Sequence, residues 1–215
     1  GTLQKTMAKI VLISLIYFNQ FCWSKVPNTL LSQDGFKELE RVSGSKKISK
    51  RVKNNEIIAV AKVFDKKINN SVSQTLSIYG SGLHPRSCQF ALRKLSLYEN
   101  YHKYVGIIKQ SQYDDTTGRV KFFIKSSLLP FSMRMNFKLP RITKTGIYPF
   151  TFDKGFLKDL KGHIHVFDQD KKCLFILTTD FVGPDTGINN IILEFFSQAV
   201  VKLALENLIR ISKTY

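Results

Sequence analysis

The chain has 215 residues, 43% of them apolar, and 33 Lys and Arg against 16 Asp and Glu give it a net charge of +17. That length buries one substantial core with at most a short appendage. The basic excess favours anionic partners and says nothing about fold, and the cysteines form no CxxC or Cys/His zinc pattern.

Met7 to Ser24 reads MAKIVLISLIYFNQFCWS. One lysine precedes an apolar run from Ile10 to Phe18, and the small residues Cys22 and Ser24 lie just before Lys25, the layout of a secretory signal peptide cleaved after Ser24. An uncleaved anchor or a buried strand is the alternative. Asn19, Gln20 and Phe21 are not the small residues that a bacterial lipoprotein signal places before its cysteine. The expected location is therefore periplasmic or secreted. Past Ser24 the cysteines are Cys88 and Cys173, which either pair or sit as small buried hydrophobes.

Residues 25–55 are polar and basic, with Lys46, Lys47, Lys50, Arg51 and Lys53 around Gly44. A helical turn or two fits Gln33 to Val42, and the rest reads as a solvated basic arm. The functional alternative is an electrostatic tether to anionic lipid or nucleic acid. From Glu56 the pattern changes, so 56–215 is read as the folded domain. Ile57 to Phe64 and Val72 to Tyr79 suit two strands across a polar loop. Gly80-Ser81-Gly82 is a weak nucleotide signal that lacks the third glycine. Pro85 to Leu95 suits a short helix, and Leu97, Tyr98, Tyr101 and Tyr104 a second.

Strands then follow quickly. Gly106–Tyr113 and Arg119–Ser127 flank the hairpin loop Asp114-Asp115-Thr116-Thr117-Gly118. Met133, Met135, Phe137 and Leu139 alternate with Arg134, Asn136 and Lys138. Ile147–Asp153, Gly162–Asp168 and Cys173–Phe181 complete the set. Between them Gly155 to Gly162 reads GFLKDLKG, either a mobile lip with Lys158 and Lys161 turned to headgroups or a loop plugging the core with Phe156 and Leu157.

Asp185 or Thr186 can cap the last element, Gly187 to Ile211, GINNIILEFFSQAVVKLALENLIRI. Asn190, Glu194, Gln198, Lys202, Glu206 and Arg210 recur four apart as a polar stripe, expected to face outward. The rest forms an apolar arc wider than a surface helix needs. Charges interrupt it too often for a membrane span. The order implies an α+β fold: a curved antiparallel sheet gripping one long helix.

This order resembles the helix-grip fold of the START-like (SRPBCC) superfamily, which includes coenzyme Q-binding proteins, polyketide cyclases and lipid-transfer domains. The likeness spans Val72 to Ser212. It rests on SCQFALRKLSLYENYHKYV (Ser87 to Val105), the Gly162-His-Ile-His-Val strand, Cys173 to Phe181 and the final helix. The strand at Ile57–Phe64 and the basic arm depart from a minimal member. The resemblance implies a cavity between sheet and helix that binds, and in some members transports, a hydrophobic small molecule or lipid. Its lining would come from Phe122, Ile124, Met133, Met135, Phe137, Tyr148, Ile164, Val166, Leu174, Ile176, Phe195, Phe196, Ala199, Val200 and Leu203. Tyr148, Arg141, Asn136 or His165 would orient the guest. The same residues suit a solid core equally well.

Chemistry is thinly encoded. His163 and His165 share a strand face without a third ligand, so no metal is expected and the face reads as solvated. His84 and Cys88 lie four apart as a nucleophile and base would, with no third group to orient them. Adjacent Asp114 and Asp115 suit a turn. No GxSxG, HExxH or Walker pattern occurs, and no cofactor is implied. The alternatives to binding are a cyclase/dehydratase in the same cavity, or a basic module contacting anionic membrane or another polyanion. An export signal argues against intracellular nucleic acid, and the sequence sets no oligomeric state.

Overall fold

In a computed structural model, the structure describes residues 34–211 apart from 69, 126, 128–131 and 156. The expected signal peptide, the first part of the arm and Phe156 lie outside the described residues. The described part of the arm is folded. Asp34 accepts the Phe36 N–H and opens α1 (Gly35–Ser43), which Gly44 ends in the left-handed region at φ 63°. Ser45 then caps α2 (Lys46–Lys53) by accepting from Ile48 N. Phe36, Leu39 and Val52 pack with Ile58, Leu83, Phe167, Leu174 and Ile176 in one cluster, so residues 34–55 cover the sheet and do not form a solvated arm. The charge run hid a short amphipathic pair: the lysines lie on the outer side while every third or fourth residue points in.

Among the described residues eight strands form one antiparallel sheet: β1 (Ile58–Ile68), β2 (Ser71–His84), β3 (Ile108–Asp114), β4 (Arg119–Ile124), β5 (Met133–Lys138), β6 (Gly146–Thr151), β7 (Lys161–Gln169) and β8 (Lys172–Pro184). Their spatial order is β1-β2-β8-β7-β6-β5-β4-β3. The sheet is continuous but thin at one place, since β5 and β6 share only the Lys138–Thr151 pair. The β3–β4 loop closes as expected: Asp114 accepts from Thr116 N, Thr117 N and the Thr117 hydroxyl, and Gly118 supplies φ 63°. Between β2 and β3 run α3 (Cys88–Leu95), a short 3-10 turn (Tyr98–Asn100) and α4 (Tyr101–Tyr104). α3 starts at Cys88, capped by Ser87, so Pro85 lies before the helix and not in its first turn. Cys88 and Cys173 are joined in a disulfide that ties the start of α3 to the start of β8 across 85 residues.

The last helix, α5 (Asn190–Ile211), packs on β1 and β2. Its approach depends on the two glycines of Gly80-Ser81-Gly82. A Cβ at Gly80 would stand 2.8 Å from Val201 Cγ1, and one at Gly82 2.8 Å from Ile209 Cδ1. The motif is a seat for the helix and not a phosphate loop. Asn189 accepts from Ile191 N at the helix start, while Asp185 and Thr186 close the turn before it. Buried Gln74 holds that turn with both ends of its amide, accepting from Thr186 and donating to Ile188 O and Asn190 Oδ1.

The polar stripe of α5 faces outward as expected at Gln198, Lys202, Glu206 and Arg210, which are exposed. A strict four-residue repeat overshoots a turn by about 40° each step, so the half-buried start of the stripe is turned toward the sheet edge. Its early members reach the free edge of β1: Val63 N donates to Glu194 Oε2 and Ala61 N to Gln198 Oε1, while Asn190 donates to Asp65. Four helical residues span about 6 Å and two strand residues about 6.6 Å, which lets consecutive turns serve alternate N–H groups. These side chains satisfy an edge that would otherwise be open to pairing.

Candidate functional site

The concave face of the sheet carries alternate residues of each strand: Val120, Phe122 and Ile124 on β4, Met133, Met135 and Phe137 on β5, Ile164 on β7, and Phe175, Leu177 and Thr179 on β8. Because α5 leans on β1 and β2, space is left between it and the strands from β3 to β7. That space is a cavity of about 300 Å³ with an almost wholly apolar wall, within the size range of small-molecule sites. Leu92 and Leu95 of α3, Tyr98, Tyr101, and Leu157 and Leu160 of the loop before β7 close its ends. Phe152 N to Leu160 O and Asp159 N to Phe152 O pin that loop, so Leu157 and Leu160 plug one end of the space.

Nine of the fifteen residues expected to line the cavity do so: Phe122, Ile124, Met133, Met135, Phe137, Ile164, Ile176, Phe196 and Val200. Ile176 also packs into the cluster under α1 and α2. Tyr148, Val166, Phe195, Ala199 and Leu203 do not line it, and Leu174 lies under α1 and α2. On α5 the inward positions are 196/197, 200/201, 204/205 and 208/209. Phe195 falls just off this row and is 74% exposed, with Ile191 and Ile192 exposed beside it. A helix apolar nearly all round does not reveal its phase, so hydrophobicity alone put Phe195 inside and left Ser197 out.

None of the four groups expected to orient the guest reaches the cavity. Tyr148 donates to Lys144 O, and Asn136 accepts from Arg119. Arg141 is bound bidentately to Asp115, reaches Glu99 and Ser96 O, and stacks 4.4 Å over the Tyr113 ring. His165 lies on the convex face, where α1 buries it to 4% exposure, correcting the solvated face expected there. Glu38 Oε1 stands 3.4 Å from His165 Nδ1 without a hydrogen bond, and burial lowers the imidazole pKa to about 4. Glu38 itself is held low by Arg41. His163 is exposed on the same face.

Sequence reading missed the polar groups that do line the cavity: Tyr98, Tyr101, Thr179 and Ser197. Both phenols are committed, Tyr98 donating to Pro140 O and accepting from Ile142 N, Tyr101 donating to Leu95 O. Burial pushes both pKa values up, so each is a neutral hydroxyl. The alternating tyrosines were visible in sequence, but not that their rings would end the cavity. No charged side chain lines the wall among the described residues. His84 accepts from Arg86 N, and Cys88 is held in the disulfide, so the two form no nucleophile–base pair. Among the described residues no three His, Cys, Asp or Glu are grouped to hold a metal, and no helix is long and apolar enough to cross a membrane.

No family model and no curated protein matches the sequence. Solved structures do match the fold. An aromatase/cyclase from Streptomyces sp. R1128 superposes with a TM-score of 0.56 at 10% identity, over 65% of this chain and 94% of that one. A START superfamily protein from Mycobacterium smegmatis gives 0.52 at 8% identity, over 64% and 97%. Norcoclaurine synthase from Thalictrum flavum gives 0.51 at 11% identity, over 66% and 89%. The chain has the START-like helix-grip fold, an α+β architecture in which a curved antiparallel sheet grips a long C-terminal helix. At such identities the likeness is one of fold.

Proposed function

We propose that this protein binds a hydrophobic small molecule or lipid in the space between α5 and the strands from β3 to β7. The observation that carries the reading is the cavity itself, about 300 Å³ with an apolar wall. Burial of apolar surface would supply the affinity, at roughly 25 cal/mol per Å² removed from water. Met133 and Met135, flexible and polarizable, suit an irregular guest. A wall whose phenols are hydrogen-bonded to backbone and which lacks an acid or base favours binding over a cyclase or dehydratase reaction. The Cys88–Cys173 bond supports an oxidising compartment, in line with the export signal read at the N-terminus. The exposed lysines of α2 (Lys46, Lys47, Lys50) support a peripheral contact with anionic headgroups as the place where cargo is exchanged.

The test is native mass spectrometry of the purified protein with solvent extraction of whatever it carries. A co-purifying apolar molecule, displaced by a fluorescent hydrophobic probe, is the expected result. A protein that carries nothing and takes up no apolar probe would sink the reading.

A further inference from the structure

The cavity wall contains two hydroxyls that make no hydrogen bond to a described residue. Thr179 on β8 is 5% exposed, and its Oγ1 has no hydrogen-bond partner. Ser197 on α5 is also 5% exposed and lines the cavity, and its hydroxyl bonds to no described residue. The two stand at the same level. Val201 sits over Gly80, so one turn back along the helix and two residues back along β2 place Ser197 over Ile78. Ile78 is the direct cross-strand partner of Thr179. Around them the wall is Ile164, Leu177 and Val200.

A buried hydroxyl without a partner is costly, and most such groups in folded proteins find one. Hydrocarbon in the cavity would leave both unpaired. We propose that Thr179 and Ser197 are a two-hydroxyl anchor, so that the cavity selects a hydrophobic molecule carrying one carbonyl or hydroxyl oxygen over the corresponding hydrocarbon. This rests on the cavity-binding reading above and specifies its ligand chemistry. Each hydroxyl both donates and accepts, so a ketone oxygen can take two donors and an alcohol can donate to one residue while accepting from the other. Neither residue carries charge, which excludes carboxylates and amines as the preferred group.

Fluorene and 9-fluorenone differ by one carbonyl oxygen and serve as the probe pair, with affinities measured by calorimetric titration. The full protein is expected to bind the ketone roughly 3- to 10-fold more tightly, the range of one or two neutral hydrogen bonds. In the Thr179→Val, Ser197→Ala double variant that ratio falls to about one, and a circular dichroism spectrum matching the parent's shows that the variant is folded. Ligand-free Thr179→Val melts higher than the parent, because an unsatisfied hydroxyl has gone. A ketone preference that survives the double substitution, or equal binding of both probes to the parent, overturns the anchor and leaves the cavity reading intact. If the parent binds neither probe, the cavity reading fails and the anchor with it.

Discussion

His165 is the residue whose setting differs most from what its neighbours in sequence suggest. Alternation put it on an outward face, which is correct, but α1 lies on that face and removes the imidazole from water. The unfolded chain takes up its proton near pH 6.5, whereas the folded one resists until about pH 4. Stability from this group is therefore complete above pH 6.5 and declines as the pH falls toward 4, by roughly 2–3 kcal/mol in all. Glu38 and Asp153, whose pKa values Arg41 and Arg119 hold low, act in the more acid window below the ordinary carboxylate range, where their contribution is lost. Urea unfolding from pH 7 to 4.5 should show the decline in the parent and a nearly flat profile in His165→Leu. An equal slope in both would place the titration elsewhere. Gln74 makes a second prediction at this scale. With both ends of its amide buried in the β8–α5 turn, Gln74→Leu should cost about 2–4 kcal/mol by leaving Thr186 and Asn190 unpaired. Nothing in the sequence around Gln74, a glutamine in a serine- and threonine-rich strand, marked it, because its partners lie more than a hundred residues away.

At the scale of elements, existence and type were legible and relations were not. Strict alternation at Met133–Leu139 and the turn chemistry at Asp114–Gly118 specify strands and a hairpin locally, and the structure has both. The short helices α1 and α2 were obscured because their apolar positions are few and interleaved with lysine. Gly80 and Gly82 carried a misleading local signal, since glycine serves close backbone approach to a phosphate and to a helix equally well. Their role predicts a contrast. Gly80→Val drives a side chain into Val201 and Leu205 and should cost about 1–3 kcal/mol, whereas Gly106→Ala, which meets open space, should be near neutral. Equal denaturation midpoints for the two variants would remove the glycine seat from the account. The disulfide acts between elements as well. Reduction should lower stability by about 2–5 kcal/mol, because it frees a loop of 85 residues in the unfolded chain.

For the whole molecule the question is why a curved sheet and an apolar helix stop short of filling the space between them. Pattern and order were enough to reach a sheet gripping a helix, since few topologies bury so apolar a helix with short connections. They did not reach the cavity, because a residue that lines a void and one that fills a core are the same residue in sequence. The structure resolves that ambiguity in how the helix sits. The β2 glycines draw α5 toward β1 and β2, and the α5 polar side chains on the β1 edge hold it there, so it stands off from β3–β5. An empty volume of this size costs several kcal/mol at about 24 cal/mol per Å³, a sizeable part of a domain's net stability. That deficit should be recoverable. Ala204 faces the space from α5, and Ala204→Leu should fill part of it, raising the ligand-free unfolding free energy by about 1–2 kcal/mol. The same change should weaken binding of an apolar probe tenfold or more, since the guest loses the volume that the leucine takes. Stability and affinity would then move in opposite directions, as they do where a void is kept for a ligand. If Ala204→Leu destabilises the protein instead, the space is too shallow to receive a side chain, and a guest of useful size has nowhere to go.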